Sequence, residues 1–254
     1  MVIAWEEAGS GPPIVFVHGN TEDRRGWDRV VPLLSDSFRC VSLDLRGHGE
    51  SSDADDYSSI AMAEDVGVVV GEAGITEPPL LVGHSLGAVV VTAYVGGGGA
   101  ARGVVNVDQA LELGGFVGAL QAIAPMLRGD AFHEALGMVF GGLGMDAVPE
   151  PWRSWAEAKH AAARQQVVLG TWDLLLDGTA ESVAEVVDGM LAAVRVPYLA
   201  IHGTDADPAY EAWLRARIPG ASVEWWTGDG HYPHLVEPER FAVRLRGFSG
   251  DSGL

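Results

Sequence analysis

The sequence is short of the residues that most narrow a protein's chemistry. Its 254 residues include one cysteine, Cys40, so no disulfide can form within the chain. The position of Cys40 in an apolar run reads as a buried thiol. Lys159 is the only lysine, and 16 basic residues stand against 35 acidic ones, a formal net charge of −19. A surface so poor in positive charge repels phosphate backbones and anionic lipid, so neither nucleic acid nor a membrane surface is the expected partner. No apolar run approaches the roughly 18 residues of a membrane span. The opening Met1 to Glu7 has no basic start, apolar stretch or small-residue cleavage site, which leads us to expect a cytoplasmic protein. There is also no H-E-x-x-H, no cysteine pair and no glycine-rich loop with a lysine, so no metal and no cofactor is expected.

What is present is an alternation of short apolar runs with helical spacing. Val2–Glu6, Ile14–Val17, Cys40–Leu43, Leu80–Gly83, Val104–Asp108, Pro197–Ile201 and Ser222–Trp226 read as strands. Trp27–Leu34, Ser59–Gly74, Ala88–Val95, Ala209–Ile218 and Pro238–Phe248 read as helices. Such alternation predicts a mostly parallel, doubly wound α/β sheet with its active groups at the carboxyl ends of the strands. From about Ala110 to Val194 the strand signals stop and helical spacing continues. The expected organisation is a core of residues 1–109 and 196–254, with residues 110–195 inserted as a helical cap. No internal repeat is visible.

The stretch that carries chemistry is Gly83-His84-Ser85-Leu86-Gly87, a G-x-S-x-G pentapeptide between a strand and a helix. That turn lifts a serine hydroxyl clear of the sheet and sets it at a helix N-terminus, where backbone N–H groups favour developing negative charge. Three other loops end strands and should converge on it. In His18-Gly19-Asn20, the glycine permits a sharp turn that can aim the Asn20 N–H at the serine, giving with the Leu86 N–H a two-donor oxyanion hole. In Gly228-Asp229-Gly230-His231, the histidine can reach the serine as general base, with His234 as its rival. The orienting acid is ambiguous: Asp205 in His202-Gly203-Thr204-Asp205-Ala206-Asp207 is preferred, then Asp108 at an earlier strand end, then Asp207.

Taken together these residues resemble the α/β-hydrolase superfamily over nearly the whole chain. His18-Gly19 is similar to its oxyanion loop. Asp44-Leu45-Arg46-Gly47-His48-Gly49-Glu50-Ser51 is similar to its D-x-R-G-x-G-x-S loop, found in the branch with esterases, epoxide hydrolases, dehalogenases and carbon–carbon hydrolases. Gly83 to Gly87 is similar to the nucleophile elbow, and Gly230-His231 with Glu237-Pro238 and Phe241 to the histidine loop and last helix. The resemblance implies an α/β-hydrolase fold of seven to eight strands, with Ser85 as nucleophile, His231 as base, and Asn20 and Leu86 as oxyanion donors. Two departures stand out: the first strand of the usual eight has no counterpart, and Ala206 fills the usual acid slot of the G-x-x-D loop, with aspartates on either side. Some family members take the acid from the position that Asp108 occupies.

The implied activity is a serine hydrolase acting on a carboxylic ester, lactone or thioester through an acyl-Ser85 intermediate. Serine at the elbow, where an aspartate would serve dehalogenase or epoxide hydrolase chemistry, favours that reading. A carbon–carbon bond hydrolase of a diketone, or a hydrolase-like ligand-binding protein with little turnover, are the alternatives. The expected partner is a small apolar ester-like molecule; nothing indicates an oligomeric state. Trp152, Trp155, Trp172, Phe116, Met126, Met138 and Phe140 of the cap are the expected lining of its pocket.

Overall fold

A computed structural model describes residues 1–251 of the protein. Seven strands form one sheet: β1 (Trp5–Ala8), β2 (Pro13–Val17), β3 (Arg39–Leu43), β4 (Leu80–His84), β5 (Gly103–Val107), β6 (Tyr198–His202) and β7 (Ala221–Trp225). Their order is β1-β3-β2-β4-β5-β6-β7, and only β1 runs antiparallel to its neighbour. Strands β2, β4, β5 and β6 are buried at every residue, which is why they read as continuous apolar runs.

Side chains alternate across these strands, and the alternation makes two cores. Val15, Val17, Leu81, Val104 and Ala200 face the side covered by α2 (Ser59–Glu72) and α3 (Leu86–Gly96). Ile14, Phe16, Val82, Val105 and Ile201 face the other side, under Trp27, Leu34 and the apolar stripe Phe241, Leu245 and Phe248 of the last helix, Pro238–Asp251. The expected helix over Trp27–Leu34 shortens to α1 (Val31–Leu34), because Pro32 sets the helix start. The preceding Arg24–Trp27 is a 3-10 turn capped by the Asp23 side chain. The expected strand Val2–Glu6 lies further along, at Trp5–Ala8, while the Val2 and Ala4 N–H groups donate to the Ser52 and Ser51 hydroxyls.

Between β5 and β6 the chain makes only helices: α4 (Gly114–Arg128), α5 (Phe132–Phe140), α6 (Trp152–Ala161), α7 (Gln165–Thr171), α8 (Asp173–Asp177) and α9 (Ala180–Ala192), with a 3-10 turn at Met145–Ala147. Helices α4, α5, α7 and α8 share a cluster of their own, built on Leu120, Leu127, Phe132, Leu136, Trp172 and Leu176. Helix α9 differs: Val183, Val187 and Leu191 join the core beside the sheet, so α9 serves as the crossover to β6. Two short helices complete the described chain, α10 (Pro208–Arg217) and α11 (Pro233–Val236), ahead of the last, α12 (Pro238–Asp251).

The loop after β3 is held by charge. Asp44 accepts from the Arg24 and Glu50 backbone N–H groups and pairs with the Arg24 guanidinium. Arg46, also buried, forks onto Asp65 at 2.6 and 2.7 Å, the bidentate geometry that suits a buried guanidinium. None of the described helices is long and apolar enough to cross a membrane.

Candidate active site

Ser85 sits between the end of β4 and the start of α3 with φ 50° and ψ −120°. A non-glycine residue held there costs about 1–3 kcal/mol and persists only where its surroundings over-determine it. The surroundings do so here. The Ser85 N–H donates to the Val107 carbonyl at 3.0 Å. A Cβ on Gly83 would overlap the Gly87 carbonyl, and one on Gly87 the Val17 carbonyl, so the turn closes only with hydrogen at both positions. Leu86 is the first residue of α3, so its N–H has no partner within the helix and points toward the same end as the serine.

Strand order brings the other loops to this end of the sheet. β4 lies between β2 and β5, so the loop at His18-Gly19-Asn20 and the residue Asp108 flank Ser85. The loop after β7 has to cross the end of β6 to arrive. It is led there by bonds from the Gly228 and Gly230 N–H groups to the Gly203 carbonyl, at 3.1 and 3.2 Å. Gly203 allows the crossing because a Cβ there would overlap the Gly230 carbonyl. From the other side the His231 N–H donates to the Leu143 carbonyl at 2.9 Å.

The His231 Nδ1–H then donates to Asp108 Oδ2 at 2.7 Å, which leaves Nε2 as the basic nitrogen of the ring. Asp108 Oδ1 accepts the Gly203 N–H at 2.8 Å, and His202 Nδ1 stands 3.7 Å from it. Burial alone would raise the Asp108 pKa, but the His202 and His231 contacts outweigh it and hold the carboxyl well below the usual carboxylate range. Asp205, the preferred acid, lies elsewhere: it is exposed and absent from the cavity that holds Ser85 and His231, and lines a separate surface groove with His202 and Trp213. Asp207 caps α10 by accepting the Ala209 and Tyr210 N–H groups at 2.9 and 3.1 Å, a common aspartate role.

The remaining histidines fall into place by their partners. His18 donates from Nδ1 to the Gly19 carbonyl and accepts the Leu45 N–H at Nε2, so both ring nitrogens are spent on the backbone. His48 does the same between the Arg46 carbonyl and the Thr21 N–H, and burial pushes its pKa down to about 3. His234, the rival base, is buried beside Trp27 and His84, outside the cavity. His84 is wholly buried and faces Glu22, a residue that the charged run Thr21–Arg25 gave no reason to place in the interior. Among the described residues no group of His, Cys, Asp and Glu side chains is gathered to hold a metal ion. Burial pushes the Cys40 thiol up to about 12, which keeps it protonated and inert.

Above Ser85 is a cavity of about 440 Å³ that also contains Asn20, Leu86, Asp108 and His231. Asn20 Nδ2 donates to Thr171 Oγ1 at 3.1 Å, tying the loop after β2 to α7. Phe116, Phe140 and Trp172 line the cavity, as do Leu174 and Leu175 of α8 and Val183, Val187 and Met190 of α9. The other four expected lining residues lie elsewhere. Trp152 and Trp155 pack on Val148, Tyr232 and Leu235 and pin α6 to the core. Met126 packs within the cluster of α4, α5, α7 and α8. Met138 is 56% exposed on the outer face of α5. Helical spacing marks an apolar face without saying whether a core or a cavity lies against it.

The profile of the alpha/beta hydrolase family matches residues 14–244. The chain belongs to that family. This alpha/beta hydrolase is 39% identical over 99 residues to a protein of Mycobacterium bovis (strain ATCC BAA-935 / AF2122/97) named a probable oxidoreductase, but that match covers 38% of this chain and spans only 17% of the relative's length. It is 26% identical over 266 residues to the non-heme chloroperoxidase CPO-A1 of Kitasatospora aureofaciens, covering 94% of this chain and 91% of that one. Among solved structures, a thermophilic esterase from Thermogutta terrifontis superposes with a TM-score of 0.77 at 22% identity, covering 99% of this chain and 94% of the other. A bromoperoxidase from Bacillus anthracis gives 0.79 at 21%, covering 98% and 95%. At these identities the two superpositions speak for the fold of this alpha/beta hydrolase, and its chemistry must be argued from its own residues.

Proposed function

We propose that the protein is a serine hydrolase cleaving a neutral, largely apolar carboxylic ester or lactone, with a thioester as the sulfur counterpart. The observation that carries the reading is one cavity holding Ser85 at its strained turn together with a His231 already oriented by Asp108. The Ser85 Oγ attacks the substrate carbonyl while His231 Nε2 takes its proton. The carbonyl oxygen becomes an oxyanion facing the Asn20 and Leu86 N–H groups, where each donor is worth roughly 10²–10³ in rate. The tetrahedral adduct collapses as His231 returns the proton to the leaving oxygen. Water, deprotonated by the same ring, then attacks the acyl-Ser85 ester, and the acid product departs. Asp108 holds the imidazole in its Nδ1–H tautomer throughout.

The substrate class follows from the lining. Among the described residues that line the cavity Asp108 and Glu112 are acidic, and none is a lysine or arginine. A carboxylate or phosphate on the substrate would meet no counter-charge there and would face a chain of net charge −19. We read residues 110–195 as the cap that shapes this cavity. A fluorophosphonate probe tests the reading: it should label the wild type and leave Ser85→Ala unlabelled. Equal labelling of the two, or none in the wild type, overturns it.

A further inference from the structure

We propose that Glu22 and His84 form a buried ion pair that positions the reacting groups, joining the loop that carries Asn20 to the loop that carries His231 at the residue next to Ser85. Its effect on rate rests on the serine-hydrolase reading; the pair itself stands on geometry.

Glu22 is 3% exposed and His84 0%. His84 Nδ1 lies 3.2 Å from Glu22 Oε2, and His84 Nε2 lies 2.8 Å from the His231 carbonyl oxygen. With Glu22 ionised, as the charge of His84 holds it, both partners only accept and both ring nitrogens donate. A neutral imidazole carries one N–H, so this ring is an imidazolium. The same Glu22 Oε2 accepts the Gly19 N–H at 3.0 Å, and the Glu22 N–H returns to the Gly19 carbonyl at 3.3 Å. The carboxylate thus fixes the peptide next to Asn20, while the imidazolium fixes the backbone of His231. His84 itself adjoins Ser85, so one pair of charges sets three loops in register.

The groups around the pair leave it as the place where the proton resides. The rings of His231, Tyr232 and His234 lie 4.7, 4.9 and 4.6 Å from His84, and Asp108 and His18 act from further off. From the cap, His160 Nε2 lies 3.1 Å from the Tyr232 hydroxyl, and burial pushes its pKa down to about 4. Burial also drives His234 well below the ordinary histidine value, with the His84 charge adding to it. For His84 burial pulls down too, but the attraction of Glu22 prevails and its pKa is raised. Glu22 shows the mirror image: burial raises it, and His84 holds it far below the ordinary carboxylate. A pair needed only for stability could be replaced by any well-packed neutral pair without loss of turnover; a positioning pair could not.

Glu22→Gln separates the two, because glutamine keeps an acceptor for the Gly19 N–H while removing the charge. Without its counter-charge His84 becomes neutral and can donate to only one partner. We expect kcat to fall about 10- to 100-fold with KM little changed, since small displacements of positioned groups cost up to about 10². The rate of Ser85 labelling by fluorophosphonate should fall by the same factor. Nitrogen-15 NMR of the wild type should show both ring nitrogens of His84 protonated at about pH 8, well above the ordinary histidine range. The His231 ring signals should shift in Glu22→Gln. A wild-type His84 with one N–H, unmoved His231 signals, or an unchanged kcat in Glu22→Gln overturns the proposal. The wild-type spectrum decides even if the variant does not fold. Failure of Ser85 to label in the wild type sinks the hydrolase reading instead and leaves both NMR readouts standing as the test of the pair.

Discussion

The floor and the roof of the cavity are built by different physics. The floor is a set of strand-end loops held by directional polar contacts: Asp108 to His231 and Gly203, Glu22 to His84 and Gly19, and the Ser85 N–H to Val107. The roof is helices packed through Leu120, Leu127, Phe132, Leu136 and Trp172 and tied to the loops below at separate points, such as Thr171 to Asn20 and Lys159 to Asp23. A polar network is sensitive to the loss of any member, because the orphaned partner stays buried. Apolar packing tolerates exchange at roughly constant volume. On the proposed reading, the reaction would be fixed below and the choice of substrate adjustable above.

The largest effect that would break or sharpen this contrast is in the floor. Asp108→Asn should lower kcat by about 10⁴ through loss of the tautomer lock, while Asp205→Asn should leave kcat unchanged; steady-state kinetics on a p-nitrophenyl ester decides, and the reverse ranking would return the acid to the loop after β6. A smaller effect is expected in the roof. Phe140→Ala should change kcat/KM for bulky esters by about tenfold, within the range a hydrophobic pocket commands, and spare short ones; a panel of acyl lengths reads it.

Acidification probes the floor a second way. The Asp108 pKa is depressed below its ordinary 3.8 in the folded chain, so its contribution to stability is complete above that value and is lost as pH falls toward the folded pKa. The melting temperature should therefore fall as pH is lowered below about 4, and fall less steeply in Asp108→Asn. The smallest effect belongs to the outer surface. Met138→Ala, two residues from Phe140 but exposed, should move stability by less than about 0.5 kcal/mol and leave the acyl-length profile as it is.

The same division governs what could be read from the sequence. Ser85 was legible because its turn demands glycine at Gly83 and Gly87, and His231 because a glycine-rich loop follows the last strand. The sheet was legible because parallel strands buried on both faces leave unbroken apolar runs. The acid was not, since Asp108, Asp205 and Asp207 all stand at strand ends or helix starts, and only the path of the His231 loop across Gly203 selects among them. Glu22 was invisible: nothing beside it in the chain marks one carboxylate in a charged run as buried. In the roof, Phe140 and Met138 belong to the same apolar pattern, and which of them meets the cavity depends on how α5 is rotated against its neighbours.

The bond from the His231 N–H to the Leu143 carbonyl makes the two halves mechanically dependent. Gly144 and Gly230 lie so close that a side chain on either would strike the other's backbone. The segment Gly141–Gly144 is therefore part of the helical region and a support for the His231 loop at once. On the serine-hydrolase proposal, substitutions in α8 and α9, which line the cavity away from that bond, should alter substrate choice without disturbing proton transfer. Under that proposal a designer seeking altered selectivity gains most latitude at Leu174, Leu175 and Met190, and should leave residues 141–144 as they are.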